Sequence, residues 1–284
     1  MKRILVTGAN GYIGSHLVEA LCNCSTKFDV IALDIRKENI DTRAKFVQCD
    51  FLQEQRNERI YDELGRPEIC IHLAWRDGFE HNAISHIEDF PRHFQFLTNL
   101  LEHGLAHLVV AGSFREYGRI NGKADINHNS IPENYYCLSK TMLKYALDIY
   151  LKTKSQICFQ WIRPFTVYGD DEKNHSIMSK IIRWEKEGKS TFPFTLGNEY
   201  YDYIHVDELA KQIIAIISQT EVQGIIDCCS GIPTRLGDKI EEFLRENHFK
   251  IRPEYGAFPD RSYDSPVIFG DRTKIDYIMR LREK

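Results

Sequence analysis

Short, mostly apolar runs alternate along the chain with longer stretches in which apolar positions recur every three to four residues. The runs are Arg3–Val6, Val30–Leu33, Lys45–Val47, Ile69–Leu73, Leu108–Ala111, Ile157–Ile162 and Gly224–Cys228. They have strand length, and most carry no polar alternation, as expected of strands buried on both faces. The helical stretches between them are Ser15–Cys22, Phe90–His103, Leu138–Lys152, Ser176–Glu187 and Val206–Ile217. Strands alternating with helices predict βαβ units and a doubly wound α/β fold, with helices on both faces of a parallel sheet. After about residue 165 the alternation loosens. Segments 170–200 and 231–270 collect the late Pro, Gly and aromatic residues, which predicts a smaller lobe over the carboxyl edge of the sheet. Open α/β sheets bind ligands at that edge. The expected division is 1–165 and 166–284, with part of 200–230 returning to the main sheet.

Composition narrows the picture. The chain has 284 residues, 43% of them hydrophobic, enough for a large core without disulfides or metals. Lys and Arg total 37 against 41 Asp and Glu, so there is no electrostatic footprint for nucleic acid or an anionic membrane. No apolar run approaches the roughly 18–20 residues of a membrane span. Met1-Lys2-Arg3 is followed by only Ile4-Leu5-Val6, too short for a signal-peptide core. The eight cysteines (22, 24, 49, 70, 137, 158, 228, 229) form neither a CxxC pair nor a zinc array. A cytoplasmic protein with reduced thiols and no metal site is expected.

Gly8, Gly11 and Gly14 lie in Val6-Thr7-Gly8-Ala9-Asn10-Gly11-Tyr12-Ile13-Gly14, directly after the first strand and opening the first helix. Glycines there let the backbone turn tightly and approach a pyrophosphate, whose charge the helix N-terminus favours. The spacing is GxxGxxG rather than GxGxxG, and its place after an N-terminal strand supplies the specificity. Asp34 stands 20 residues past Gly14, at a strand end, where an acid bonds the adenosine ribose. Turn and acid together predict a Rossmann-type dinucleotide domain. A carboxylate at that position repels a 2′-phosphate, so NAD(H) is favoured over NADP(H), although Arg36 and Lys37 stand close by.

Tyr136 and Lys140 stand four apart at the start of a helical stretch and share a face. A nearby ammonium stabilises phenolate, making the tyrosine a usable acid/base. Tyr150 and Lys154 repeat the spacing, but late in the same helix, where a solvated pair is expected. Ser113 ends the Leu108–Ala111 run and lies 23 residues before Tyr136. Alone it would read as a helix cap; in this order after the glycine turn, the trio Ser113, Tyr136 and Lys140 reads as catalytic.

At this point the chain resembles an extended short-chain dehydrogenase/reductase of the NAD-dependent epimerase/dehydratase family, which acts on nucleotide sugars. The matching segments are Thr7–Gly14, Asp34, Cys49–Leu52, His72–Ala74, Gly112–Gly118, Tyr136–Lys140, Arg163–Gly169 and Asp202–Asp207. The resemblance implies adenine contact by Asp50 and nicotinamide-ribose contact by Lys140. It places Ser113 and Tyr136 at the reacting oxygen. It implies further cofactor contacts along the matching segments at Tyr12, Ile13, Phe51, Leu73, Ala74 and Pro164, and Arg36, just past Asp34, is a further expected cofactor contact. It makes His205 and Asp207 structural. Thr166 is the expected sugar-side contact, and Arg261, with Arg235 behind it, the expected cation for the diphosphate. The expected partner is a nucleotide sugar, with a homodimer as the candidate assembly.

Dehydratases of the family carry an adjacent Asp-Glu pair directly after the serine or threonine; here Phe114-Arg115 stands in its place. Epimerases resembling the galactose enzyme have Asn where Thr166 stands and often Arg where Tyr201 stands, and His93 replaces a frequent Asn. Gly112–Gly118 with His72-Leu73-Ala74-Trp75 resembles the branch that reduces nucleotide-linked 4-keto-6-deoxysugars, such as dTDP-4-keto-6-deoxyglucose, for surface polysaccharide. The alternatives are an epimerase with retained NAD and, in another class, a non-catalytic dinucleotide-binding regulatory protein.

Overall fold

The computed structural model describes residues 1–26, 28–128, 130–259 and 264–282. The first half contains β1 (Arg3–Thr7), α1 (Tyr12–Asn23), β2 (Asp29–Asp34), β3 (Lys45–Gln48), α2 (Phe51–Glu54), α3 (Ile60–Glu63), β4 (Ile69–His72), α4 (Ser85–Glu102) and β5 (His107–Ala111). A 3₁₀ turn (Phe114–Tyr117), β6 (Asn121–Lys123), α5 (Tyr135–Leu151), β7 (Cys158–Pro164), β8 (Thr166–Tyr168), α6 (Ile177–Lys186) and β9 (Thr191–Phe194) come next. The chain continues through β10 (Tyr200–His205), α7 (Val206–Ile217), β11 (Gly224–Cys228), β12 (Pro233–Arg235), α8 (Leu236–Glu246), β13 (Arg252–Tyr255), β14 (Val267–Phe269) and α9 (Thr273–Arg282).

Seven parallel strands form the main sheet in the order β11-β7-β5-β4-β1-β2-β3. Their continuous apolar runs are explained by burial on both sides. Along β1, Ile4 and Val6 point into one core with α1, α7 and α9, while Leu5 points into the other with α4 and α5. β2 divides in the same way, Val30 and Ala32 against Ile31 and Leu33. The doubly wound α/β expectation thus holds. The strand order reverses at β1, whose neighbours are β2 and β4, and this opens a crevice at the carboxyl ends of β1 and β4.

Residues from both sides of 166 build the main layers. α7, β11 and α9 pack with the sheet through Leu209, Ile213, Ile226, Ile275 and Ile278. A separate core of Met178, Ile181, Phe192, Phe194, Ile240 and Phe243 joins α6, β9 and α8. Short strands β12, β10, β14 and β6 make a second sheet, with β8 paired to β10. α4 begins at Ser85, ahead of the expected Phe90, and runs through Pro91. No helix among the described residues is long and apolar enough to cross a membrane.

Candidate active site

The glycine turn leaves β1 at its carboxyl end. Gly8 has φ of +68°, and a Cβ there would come within 2.7 Å of the Ala74 backbone. A Cβ on Gly14 would meet the Gly8 carbonyl, so the first turn of α1 lies directly on the loop. Gly11 is the N-cap of α1 without a side-chain cap, and Tyr12 and Ile13 begin the helix, leaving its first N–H groups for an anion. Leu73 N–H donates to the Thr7 carbonyl at 3.2 Å, which sets β4's exit beside the turn. The cradle is shaped by backbone that tolerates no side chain, and it fits a dinucleotide pyrophosphate.

Asp34 ends β2 next to this turn. Its carboxylate accepts from the N–H groups of Asn10 at 3.0 Å, Ile35 at 2.8 Å and Arg36 at 3.3 Å. Asn10 also donates its side-chain amide to Glu38 at 3.2 Å. Two carboxylates, Asp34 and Glu38, therefore stand beside the glycine turn, and of these the strand-end spacing identifies Asp34 alone. Asp50 caps α2, accepting from Leu52 N–H at 3.2 Å. Phe51 turns inward, edge-on to His72 and His93. Pro164 closes β7 at the same edge of the sheet, buried with its strand.

Ser113 comes after β5 and caps the 3₁₀ turn, accepting from Arg115 N–H at 3.2 Å. Its hydroxyl is near enough to the Tyr136 phenol to lower that group's pKa. Cap and site serine are thus the same residue. Asn134 caps α5 by accepting from Cys137 N–H at 2.9 Å, which places Tyr136 in the first turn and Lys140 one turn on. The Lys140 ammonium donates to the Ala111 carbonyl at 2.6 Å and stands 5.9 Å from the Tyr136 ring centre. Burial pushes the Tyr136 phenol above its ordinary range, while the neighbouring Ser113 hydroxyl works the other way. Burial also pulls Lys140 down, opposed by the charge of Glu116. The structure brings Ser113, Tyr136 and Lys140 together at the carboxyl edge, beside the glycine turn.

Tyr150 and Lys154 are elsewhere. The Tyr150 hydroxyl donates to Glu102 at 3.1 Å on the surface, with Lys154 over its ring. On the lobe side, Thr166 pairs with Tyr203 in the β8–β10 register. Arg235 donates to the Asn198 side chain at 2.9 Å and to Asp238 at 3.2 Å, bracing the turn before α8. Arg261 lies outside the described residues. His205 caps α7, accepting from Asp207 N–H at 3.3 Å. A recess beside the trio is lined by Phe114, Arg115, Asn134, Cys137, Tyr201 and Asp264.

Glu116 joins the site without having stood out as a functional residue in the sequence. Its carboxylate accepts from Ser113 N–H at 2.7 Å, from Trp161 Nε1 at 3.0 Å and from Arg163 Nε at 3.1 Å. Ser113-Phe114-Arg115-Glu116 has the S-x-x-E form of a capping box, a signal present in the sequence. Gly112 belongs to the same arrangement, because a Cβ there would strike the Glu116 carboxylate and the Trp161 indole.

Known proteins resemble the chain over most of its length. Residues 4–229 match the NAD dependent epimerase/dehydratase family model. The chain is 35% identical over 268 residues to the dTDP-6-deoxy-L-talose 4-dehydrogenase (NAD(+)) of Aggregatibacter actinomycetemcomitans, covering 94% of this chain and 98% of that one. It is 25% identical to the CDP-abequose synthase of Salmonella typhimurium, covering 94% and 88%. The UDP-glucose 4-epimerase structure from Thermotoga maritima superposes with a TM-score of 0.83 at 21% identity, covering 97% and 91%. The chain belongs to the NAD-dependent epimerase/dehydratase family of extended short-chain dehydrogenases/reductases, and its dinucleotide is NAD.

Proposed function

We propose that this nucleotide-sugar-modifying oxidoreductase reduces the C4 ketone of a dTDP-linked 4-keto-6-deoxysugar, a step that serves surface polysaccharide synthesis. The observation that carries the reading is the pair of residues directly after Ser113. Phe114 and Arg115 stand where a dehydratase needs its acid and base. The next carboxylate along, Glu116, is consumed by Arg163 and Trp161 in the core. Among the described residues, that leaves this turn without an acid–base pair to eliminate water or deprotonate sugar C5. The talose dehydrogenase relative, whose name states oxidation at C4, supports the same carbon as the reacting centre.

Gly8, Gly11, Gly14 and Asp34 would hold the dinucleotide, with Asp50 toward its adenine. When bound, NADH supplies the hydride that the sugar carbonyl carbon accepts. Tyr136 donates its phenolic proton to the developing C4 alkoxide, and Lys140 stabilises the phenolate left behind. Ser113 donates a hydrogen bond to the same oxygen, a contribution of roughly 2.7–4 kcal/mol if it behaves as an oxyanion-hole donor. Thr166 would complete the sugar contacts.

Isotope transfer tests the reaction. NADH deuterated at both C4 positions, supplied with the 4-keto form of dTDP-6-deoxy-L-talose, should place one deuterium at sugar C4 and none elsewhere. Product without deuterium, and NADH unchanged after turnover, would make the enzyme an epimerase.

Cofactor preference tests the ribose end. Asp34→Ala should shift the ratio of kcat/KM for NADH over NADPH by about 10–100-fold, the value of one charge-assisted hydrogen bond. Glu38→Gln in the same background should relax it further, since Glu38 is the second acid held by Asn10. A wild type that already prefers NADPH would contradict both assignments.

A further inference from the structure

Trp75 comes directly after His72-Leu73-Ala74 at the end of β4, and it faces the catalytic lysine. The Lys140 ammonium nitrogen lies 3.9 Å from the centre of the Trp75 ring. The ring is itself held in place. It stacks on His93, with centroids 4.4 Å apart and planes inclined by 20°. Its Nε1 donates to His86 Nδ1 at 3.0 Å, and His86 Nε2 donates in turn to the Glu80 carbonyl at 3.0 Å. Behind the stack, His93 Nδ1 is 2.9 Å from His72 Nε2, and His72 Nδ1 is 2.8 Å from the Thr7 hydroxyl. The chain of contacts runs from the end of β1, where the glycine turn begins, to the catalytic helix.

The charges around Lys140 make the ring's place intelligible. His72 on β4 and His93 on α4 are fully buried, and burial together with the Lys140 charge keeps both imidazoles neutral. Tyr136 on its own helix is a neutral phenol, held there by burial. Glu116, in the 3₁₀ turn, is the anionic group, and it is already paired with Arg163. Set in such a wall, the ammonium meets the Ala111 carbonyl on one side and a π face on another. A π face attracts the cation and is indifferent to the neutral amine.

We infer that Trp75 is a positioning residue for the reaction, its π face holding Lys140 as an ammonium at the nicotinamide end of the site while His93 and His86 fix the ring. The inference rests on the reading of Tyr136 and Lys140 as the acid/base pair. Its sign is definite. A contact that favours the charged form raises the pH at which the lysine loses its proton, so removing Trp75 brings that loss to lower pH.

Two measurements test it. The first is the pH profile of kcat with the 4-keto form of dTDP-6-deoxy-L-talose. In Trp75→Leu the alkaline limb should move down by about one pH unit, while KM for the sugar changes less than about threefold. Trp75→Phe, which keeps a π face and the stack, should restore most of the profile. A uniform loss at every pH, with the limb unmoved, would reduce Trp75 to packing and overturn the inference.

The second measurement needs no turnover. Tryptophan emission of the wild type, titrated from neutral to alkaline pH, should show a transition that disappears in Lys140→Met. Persistence of that transition in Lys140→Met overturns the inference. A wild type that reduces no 4-keto sugar, yet shows the Lys140-dependent transition, overturns the functional reading and leaves the Trp75 contact standing.

Discussion

Tyr136→Phe is expected to lower turnover by about 10²–10⁴-fold while NADH affinity stays nearly unchanged. The substitution removes the phenolic oxygen alone, and that oxygen carries the proton to be given up. Tyr136 sits in the first turn of α5, with the Ser113 hydroxyl nearby, and burial keeps it protonated at neutral pH. That is the state which reduction consumes. Phenylalanine preserves the ring contacts with Trp75 and His86, so the fold and the dinucleotide cradle are untouched. Tyr150→Phe is the matched control. It deletes the same atom from a tyrosine with the same spacing to a lysine, but its hydroxyl meets Glu102 at the surface. It should be close to neutral. Stopped-flow or steady-state rates with both variants decide the point, and equal losses would mean that Tyr136 is not the proton donor.

The features legible in sequence are those fixed by local chemistry. Gly8 needs φ of +68° and close approach to Ala74, so the turn announces itself by residue type. Strands buried on both faces announce themselves as unbroken apolar runs, and β1, β2, β5 and β11 lie within a residue of where those runs place them. Tyr136 and Lys140 are legible because one helical turn brings them onto one face. The features that escape depend on partners far along the chain. Glu116 looks like an ordinary surface acid until Arg163, 47 residues later on β7, arrives beside it. Trp75 acquires a role only when α4 brings His93 beneath it and α5 brings Lys140 above. Strands of three residues, such as β6, β12 and β14, are too short to carry any period. α8 does carry one, with Ile240, Phe243 and Leu244 buried, but it lies among Pro, Gly and aromatic residues that read as loop.

Glu116→Leu is expected to be the most destabilising single change at the site, costing about 3–5 kcal/mol, as removal of one partner from a buried ion pair does. The side chains of Glu116 and Arg163 are 1% and 10% exposed, so water cannot replace the lost partner. Leucine would leave the Arg163 guanidinium without its carboxylate, and the Trp161 indole N–H and the Ser113 N–H without an acceptor. For a chain of this size the melting temperature should fall by on the order of 10 °C. Turnover of the surviving folded fraction should also drop, because the carboxylate that holds the Ser113 backbone is gone. The companion variant Glu116→Leu/Arg163→Met separates the two effects. Replacing both charges with apolar groups removes the orphaned guanidinium, so stability should return toward wild type, whereas Ser113 still lacks its tether and turnover should stay low. Calorimetry on the single and double variants, with rates measured on each, reads both quantities. A Glu116→Leu protein melting within about 2 °C of wild type would mean that the pair contributes little and that Ser113 is placed by β5 alone.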